Sequence, residues 1–551
     1  MIKNKDSNPK LSKRIRLGKQ TFEFLIKNNF LYVDKTKDIY NLIYNESTVF
    51  LSRPRRFGKS LLVSTLDNLF LGNKDLFKGL YIYDKWDWSK KYTVINIDLS
   101  KPFNEDNEQF KESLNFYLNR IAKHFSIDLI GEHPNDKLSE LIEELYYKHN
   151  NEIVVLVDEY DAPILDNINN EKLADANRKT LQSFFMSLKN SDKYINFIFI
   201  TGITKFAHTS IFSKLNNPTD ITLSEEYSTI CGITHRELEY YCSEYIQTLA
   251  DKKDTNYTTV LAKINNWYDG YSFDGKKRVF NPFSTLTALK TGKLSHFWFK
   301  TGTPHFLVDI LKNRREQIIN FENIILNERD LNEIDPINME ELPLLFQGGY
   351  LTIDKMFIND NDEIEYSLKI PNFEVEQAFK YNLTELYMKR VESRFKSSQE
   401  QIWNEIISGK CGKLSESLRA YISGVPYFNR ISMYNEEKWK VYSMIFTIWA
   451  ESMDFYMTEE RVIEDGRIDF VLENNEKEQT LIVEMKYTAD QTKTLDNLIN
   501  EAFKQIEHKK YWWAYTGKIK LMALALKDVE IDDGFITDVK CRVKDVLNRD
   551  L

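Results

Sequence analysis

Two groups of residues in this chain have the types and spacing for phosphate chemistry. The first is Gly58-Lys59-Ser60, preceded by Arg53-Pro54-Arg55-Arg56-Phe57 and followed by Leu61. A glycine, a lysine and a hydroxyl at the start of a helix can cradle a phosphate. Free backbone N–H groups attract the anion, Lys59 can reach the β- and γ-phosphates, and the Ser60 hydroxyl can hold Mg2+. Further along, Asp158 and Glu159 end the apolar run 153–157. Asp158 is placed to join the same Mg2+ shell, and Glu159 to polarise an attacking water. The second group is Asp469, Glu484 and Lys486, with Gln505 beyond them. An Asp and a Glu converging on one point make an oxygen-ligand site for Mg2+ or Mn2+, and a nearby lysine can orient water and stabilise charge on a phosphate.

These residues need particular elements to position them. "STVFLS" (47–52) is a short β-prone run, and "SLLVSTLDNLF" (60–70) has helical periodicity, so the Gly-Lys-Ser sits where a strand passes into a helix. A phosphate loop ordinarily has a glycine at the position of Arg53. Arginine cannot take a positive φ cheaply, which counts against nucleotide binding and leaves a merely basic loop as the alternative. The run ending at Asp158 reads as a buried parallel strand, and "KYTVINIDLS" (91–100) and "YINFIFITGITKF" (194–206) read as two more. Helical stretches separate them, giving an α/β unit with a mostly parallel sheet. Thr201, Thr204 and Lys205 leave the last of these strands where a γ-phosphate sensor would stand, or where any strand passes into a loop.

Near the other end, 468–472 and 481–485 read as a hairpin joined by a polar loop. Glu484 and Lys486 are two apart and so share a strand face, and Asp469 can lie opposite them. Charges on a hairpin's wet face also produce this pattern by chance. Gly466 permits close backbone approach, and the helical run "NLINEAFKQIEHKKYWWAY" brings Gln505 and Tyr511 after the hairpin.

"YVDKT" (32–36), "RPRRFGKS" (53–60), "VDEYDAP" (157–163), "TGITKF" (201–206), "WYDGYSF" (267–273) and "NPFS" (281–284) together resemble the bacterial AAA-ATPase-like proteins. In that family the RPRRFGKS form of the loop is the usual one. The resemblance implies that residues 53–61 and Asp158 bind ATP. The string GRID…VEMK…QI…Y resembles the PD-(D/E)XK nuclease domain that commonly follows, a relative of the RecB-type nucleases. By that resemblance Gln505 positions the water or Lys486, and a further glutamate completes the metal shell, with Glu451, Glu459 and Glu460 all open.

The expected parts are a P-loop AAA-like NTPase domain over 1–230, a helical lid over 231–330, a connector over 331–410 that resembles a winged-helix hairpin, and a nuclease-like α/β domain over 411–551. In the lid, Thr234 and Glu237 have the spacing of a capping box. The function expected is a nucleotide-regulated, metal-dependent nuclease acting on DNA, with DNA favoured over RNA and the choice between them open, in defence against foreign DNA or in mobile-element biology. The alternative is an ATPase switch whose C-terminal domain only binds nucleic acid or a partner protein. A DNA motor is disfavoured by the lack of a helicase motif series. Homo-oligomerisation is left open.

Composition bounds this picture. The chain has 551 residues, 42% hydrophobic and 28% charged, which suits several packed domains rather than long disordered linkers. A net charge of −9 excludes coating nucleic acid through bulk charge, so contact must come from local patches. Candidates are the basic first 19 residues, the arginine-rich loop and "HKKYWWAYTGKIK" (508–520), whose aromatics have a core reading as well. Cys231, Cys242, Cys411 and Cys541 form no CxxC pair, which suits a reducing cytoplasm without structural disulfides. No apolar run approaches the ~20 residues that span a bilayer, so no membrane association is expected.

Overall fold

A computed structural model describes residues 13–100, 105–168, 170–206, 218–298, 324–332, 341–359, 361–376, 399–424, 435–452, 456–463, 466–474, 479–515, 518–531 and 534–546. They form two compact units, one holding the described residues up to Glu376 and the other those from Gln399 onward.

In the first unit β1 (Thr48–Ser52), β2 (Thr93–Asp98), β3 (Ile153–Asp158), β4 (Ile195–Gly202) and β5 (Thr219–Asp220) form one parallel sheet in the order β2-β3-β4-β1-β5. All six residues of β3 are buried, as a central parallel strand covered on both faces requires. The covering helices include Lys59–Phe70, Asn107–His124, Pro134–His149 and Glu171–Asn190. Their starts are set by side chains or by proline: Asp106 accepts from the Gln109 N–H, Asn170 from that of Leu173, and Pro134 opens its helix. The register pairs Asp98 with Asp158 and Ser52 with Gly202, so the strand ends gather at one edge of the sheet, where ligands bind in such folds.

The helical segment that follows belongs to the same unit. Helix His235–Lys252 starts at a full capping box between Thr234 and Glu237. Helix Glu341–Gly348 ends at Gly349, whose φ of +87° lets the chain turn back toward the next strand. There β6 (Ile324–Asn327), β7 (Thr352–Ile358) and β8 (Ile364–Lys369) form an antiparallel sheet ordered β6-β8-β7. The expected connector thus contains the β7–β8 hairpin, the third strand β6 comes from the end of the expected lid, and much of the connector's remainder lies outside the described residues.

The second unit is a mixed sheet ordered β13-β12-β11-β10-β9, made of β9 (Tyr456–Ile463), β10 (Gly466–Asn474), β11 (Gln479–Thr488), β12 (Lys518–Ile531) and β13 (Gly534–Asp545). Leu481, Val483 and Met485 face one core with Trp403, Phe446 and Trp449. The alternate face carries Ile482, packed with Phe503, Ile506 and Tyr511 of and after helix Leu495–Lys509. Tyr511 is buried, so the basic–aromatic stretch 508–520 contributes to a core, as one of its two readings holds.

The cysteine expectation is corrected. Cys411 and Cys541 form a disulfide with Cα atoms 6.1 Å apart, while Cys231 and Cys242 are free and buried. The pair is separated by 130 residues, and helix Gly412–Gly424 packs beside β13, a meeting that spacing along the chain does not reveal. Among the described residues, no helix is long and apolar enough to cross a membrane.

Candidate functional site

The phosphate loop joins β1 to helix Lys59–Phe70, with Gly58 at the helix N-cap and φ +101°. That left-handed turn is where glycine is needed. Arg53 is not among the residues with positive φ, whereas Arg56 is, at 69°. The backbone at position 53 therefore does not call for a glycine.

Arg53 also does not offer its side chain to a phosphate, which corrects the sequence expectation. Its guanidinium is buried, donating to the carbonyls of Ser52 and Thr222 at 2.8 Å each and of Tyr227 at 3.4 Å, and stacking on the Phe273 ring at 3.8 Å. Burial lowers its pKa from 12.5 to about 10, still charged at neutral pH. Phe57 is likewise buried, edge-on to Tyr271 and Phe273, and Pro54 lies under Gly349. The Trp298 indole N–H donates to the Arg55 carbonyl at 3.0 Å. Four segments distant in sequence thus grip the loop, and the WYDGYSF string supplies two of the rings.

Lys59 is buried, its Nζ donating to the carbonyls of Arg53 and Pro54 at 3.0 and 3.2 Å. Ser60 hydrogen-bonds Asp158, whose pKa is raised from 3.8 to about 6 by burial and then by the neighbouring Glu159, against the pull of Ser60 and Lys59. Glu159 has φ +52°, a strained turn for a side chain of its size, and its N–H caps Asp158 Oδ1 at 3.0 Å. Arg55, Arg56, Ser60, Asp158 and Glu159 line a cleft of about 360 Å3. Arginines, a hydroxyl and carboxylates around one cleft suit a nucleoside triphosphate with Mg2+, while Lys59 stands behind it on the loop carbonyls rather than in its lining. Leu61 is half-buried in the first helical turn.

Asp98 lines this cleft and also an adjoining one of about 390 Å3, and sequence reading missed it. The signal was present, since Asp98 ends an apolar strand as Asp158 does. Thr201 and Thr204 take the ordinary strand-exit reading: Thr201 Oγ1 donates to the Leu51 carbonyl, and Thr204 caps Asp161. Lys205 pairs with Asp220.

In the second unit, Phe470 lies opposite Val483, which sets Asp469 beside Glu484. Asp469 Oδ2 accepts the Met485 N–H at 2.9 Å. Lys486 Nζ donates to Glu484 Oε1 at 2.8 Å and to Gln505 Oε1 at 2.7 Å, and Gln505 Nε2 donates to the Tyr511 hydroxyl at 3.2 Å. All four predicted residues therefore converge. Glu484 is 1% exposed, and its Oε2 is buried without a hydrogen-bond partner. Burial, then the charge of Asp469, pushes its pKa up from 4.5 to about 7, with Lys486 and Gln505 pulling it down. An orphaned carboxylate oxygen beside a second carboxylate fits a divalent cation. Among the described residues no three His, Cys, Asp or Glu side chains are grouped so as to hold a metal ion, and the side chains of Glu451, Glu459 and Glu460 lie outside those described.

Residues 16–212 match the family described as predicted AAA-ATPase, and residues 436–530 match the PD-(D/E)XK nuclease superfamily. An uncharacterised protein in the vnfD 5′ region of Azotobacter chroococcum mcd 1 is 30% identical over 465 residues, covering 84% of this chain and 87% of that one. The chain belongs to the AAA-ATPase-like family. Its phosphate loop and Asp158 fall in the first matched region, and Asp469, Glu484, Lys486 and Gln505 in the second. A solved structure of the Aeropyrum pernix ORC1 protein in complex with DNA covers 64% of this chain and 93% of its own, at 9% identity and TM-score 0.25, a likeness too slight to bear on function.

Proposed function

We propose that this AAA-ATPase-like protein is a nucleotide-regulated, metal-dependent nuclease acting on DNA. The observation that carries the reading is Glu484: a buried carboxylate with one oxygen held by Lys486 and the other unpartnered, beside Asp469, on a chain that also carries a phosphate loop.

Asp469 and Glu484 would hold Mg2+ or Mn2+, and the bound ion would activate water and neutralise charge on the scissile phosphate. Lys486, held against Glu484, would present its ammonium toward the phosphate. Gln505 fixes the Lys486 side chain, and Tyr511 fixes Gln505, so the ammonium is held rather than sampled. In the first unit the helix N-terminus at Gly58 and Lys59 would bind ATP phosphates, Ser60 and Asp158 would hold its Mg2+, and Glu159 would orient water.

Defence against foreign DNA or mobile-element biology is the setting that suits such an activity. The test is cleavage of labelled duplex and single-stranded DNA and of RNA by the full chain with Mg2+ or Mn2+. Cutting that vanishes in Lys486→Ala supports the reading. If no nucleic acid is cut under any condition while ATP still binds, the protein is an ATPase switch instead.

A further inference from the structure

We infer that Arg53 is a positioning residue of the phosphate loop: its buried guanidinium braces the loop from outside, replacing the conformational freedom that a first glycine supplies in other loops of this kind. The inference deepens the reading of residues 53–61 as a nucleotide site and rests on it.

Three observations converge. Position 53 has no positive φ, so glycine's special freedom is not needed there; the left-handed turns are at Arg56 and Gly58. The guanidinium instead spans three carbonyls, Ser52 in the adjoining strand and Thr222 and Tyr227 far along the chain, while its face lies 3.8 Å from the Phe273 ring. The carbonyl of the same residue, with that of Pro54, holds Lys59 Nζ. Arg53 therefore fixes the loop backbone through its side chain and sets the position of the phosphate-seeking lysine through its main chain.

Arginine's planar fork meets this geometry and lysine's does not. Several donors must reach carbonyls in different directions while the flat face stacks on an aromatic ring. A lysine ammonium can satisfy part of that set and cannot stack in the same way. Glycine satisfies none of it and removes the side-chain donors to the Ser52 and Thr222 carbonyls, while the Tyr227 carbonyl keeps the Ile230 N–H.

The deciding variant is Arg53→Gly, which restores the common glycine-first spelling of the motif. Mg2+–ATP affinity is measured by calorimetry on the full chain for wild type, Arg53→Gly and Arg53→Lys, with thermal unfolding as a check on folding. We expect Arg53→Gly to bind ATP at least about tenfold more weakly, as losing even one charge-assisted bond implies. Millimolar guanidinium should recover part of that loss in Arg53→Gly and leave wild type unchanged. Arg53→Lys, which keeps charge and bulk, should remain folded, binding ATP more weakly than wild type and more tightly than Arg53→Gly, with no response to guanidinium. Arg53→Gly binding as tightly as wild type overturns the inference, as does a folded Arg53→Gly that guanidinium does not rescue. Should Arg53→Gly fail to fold, an ATP affinity in Arg53→Lys equal to wild type overturns it. A wild type that binds no ATP would overturn the nucleotide reading itself, and the inference with it.

Discussion

Glu374→Gln should stabilise the first unit at alkaline pH and leave it unchanged in acid. Glu374 is fully buried, and its Oε1 accepts the backbone N–H of Trp298 at 2.8 Å, the tryptophan whose indole N–H holds the Arg55 carbonyl of the phosphate loop. Burial pushes its pKa up from 4.5 to about 7, against the pull of Ser284 and the backbone N–H groups of Trp298 and Phe297. Because the folded pKa lies above the unfolded one, the folded state binds the extra proton between them. Stability from this group is thus fully present below about pH 4.5 and is lost as pH rises through about 7. At 1.36 kcal/mol per pKa unit, the loss by pH 8.5 is on the order of 3 kcal/mol. Glutamine keeps the acceptor for Trp298 and carries no charge, so it escapes the loss. Tm of wild type and Glu374→Gln would be followed by differential scanning from pH 5 to 8.5. The two curves should meet near pH 5 and separate by several degrees at pH 8.5, the variant above. A constant gap, or a variant less stable than wild type at pH 8.5, would refute the reasoning.

Three further outcomes follow from particular contacts. Gly349→Ala should weaken ATP binding, because Gly349 sits at φ +87° and an added Cβ would come within 2.8 Å of Pro54; affinity equal to wild type in calorimetry counts against that packing. Reductant should lower the Tm of wild type but not of Cys541→Ser, since the disulfide closes a 130-residue span and a loop of that order stabilises by about 4–5 kcal/mol in the chain-entropy picture. Lys486→Ala should abolish DNA cleavage by removing the ammonium between Glu484 and Gln505, while leaving ATP affinity at the wild-type value; retained cutting would remove Lys486 from the chemistry.

What the sequence revealed depended on how local the determinant is. Gly58-Lys59-Ser60 and Asp158 are readable because strand, loop and helix signals adjoin them, and the two-residue spacing of Glu484 and Lys486 by itself assigns them to one strand face. Gln505 was reached through a resemblance, and the structure brings it within 2.7 Å of Lys486. Arg53 was misread because its partners, Thr222 and Tyr227, are 169 and 174 residues away. The same holds for the Trp298 grip on Arg55, 243 residues distant, and for the disulfide. Asp98 shares the cleft through strand register with Asp158, which a linear pattern of apolar runs does not carry. Buried contacts between distant segments need the fold; short motifs at element ends do not.

The most direct test is cleavage of labelled plasmid, linear and single-stranded DNA in Mg2+ and then Mn2+, with and without ATP, by wild type, Lys59→Ala and Lys486→Ala. A nucleotide-regulated nuclease requires cutting that is lost in Lys486→Ala and altered both by ATP and by Lys59→Ala. No cutting by wild type in either metal, with ATP still bound, would contradict it.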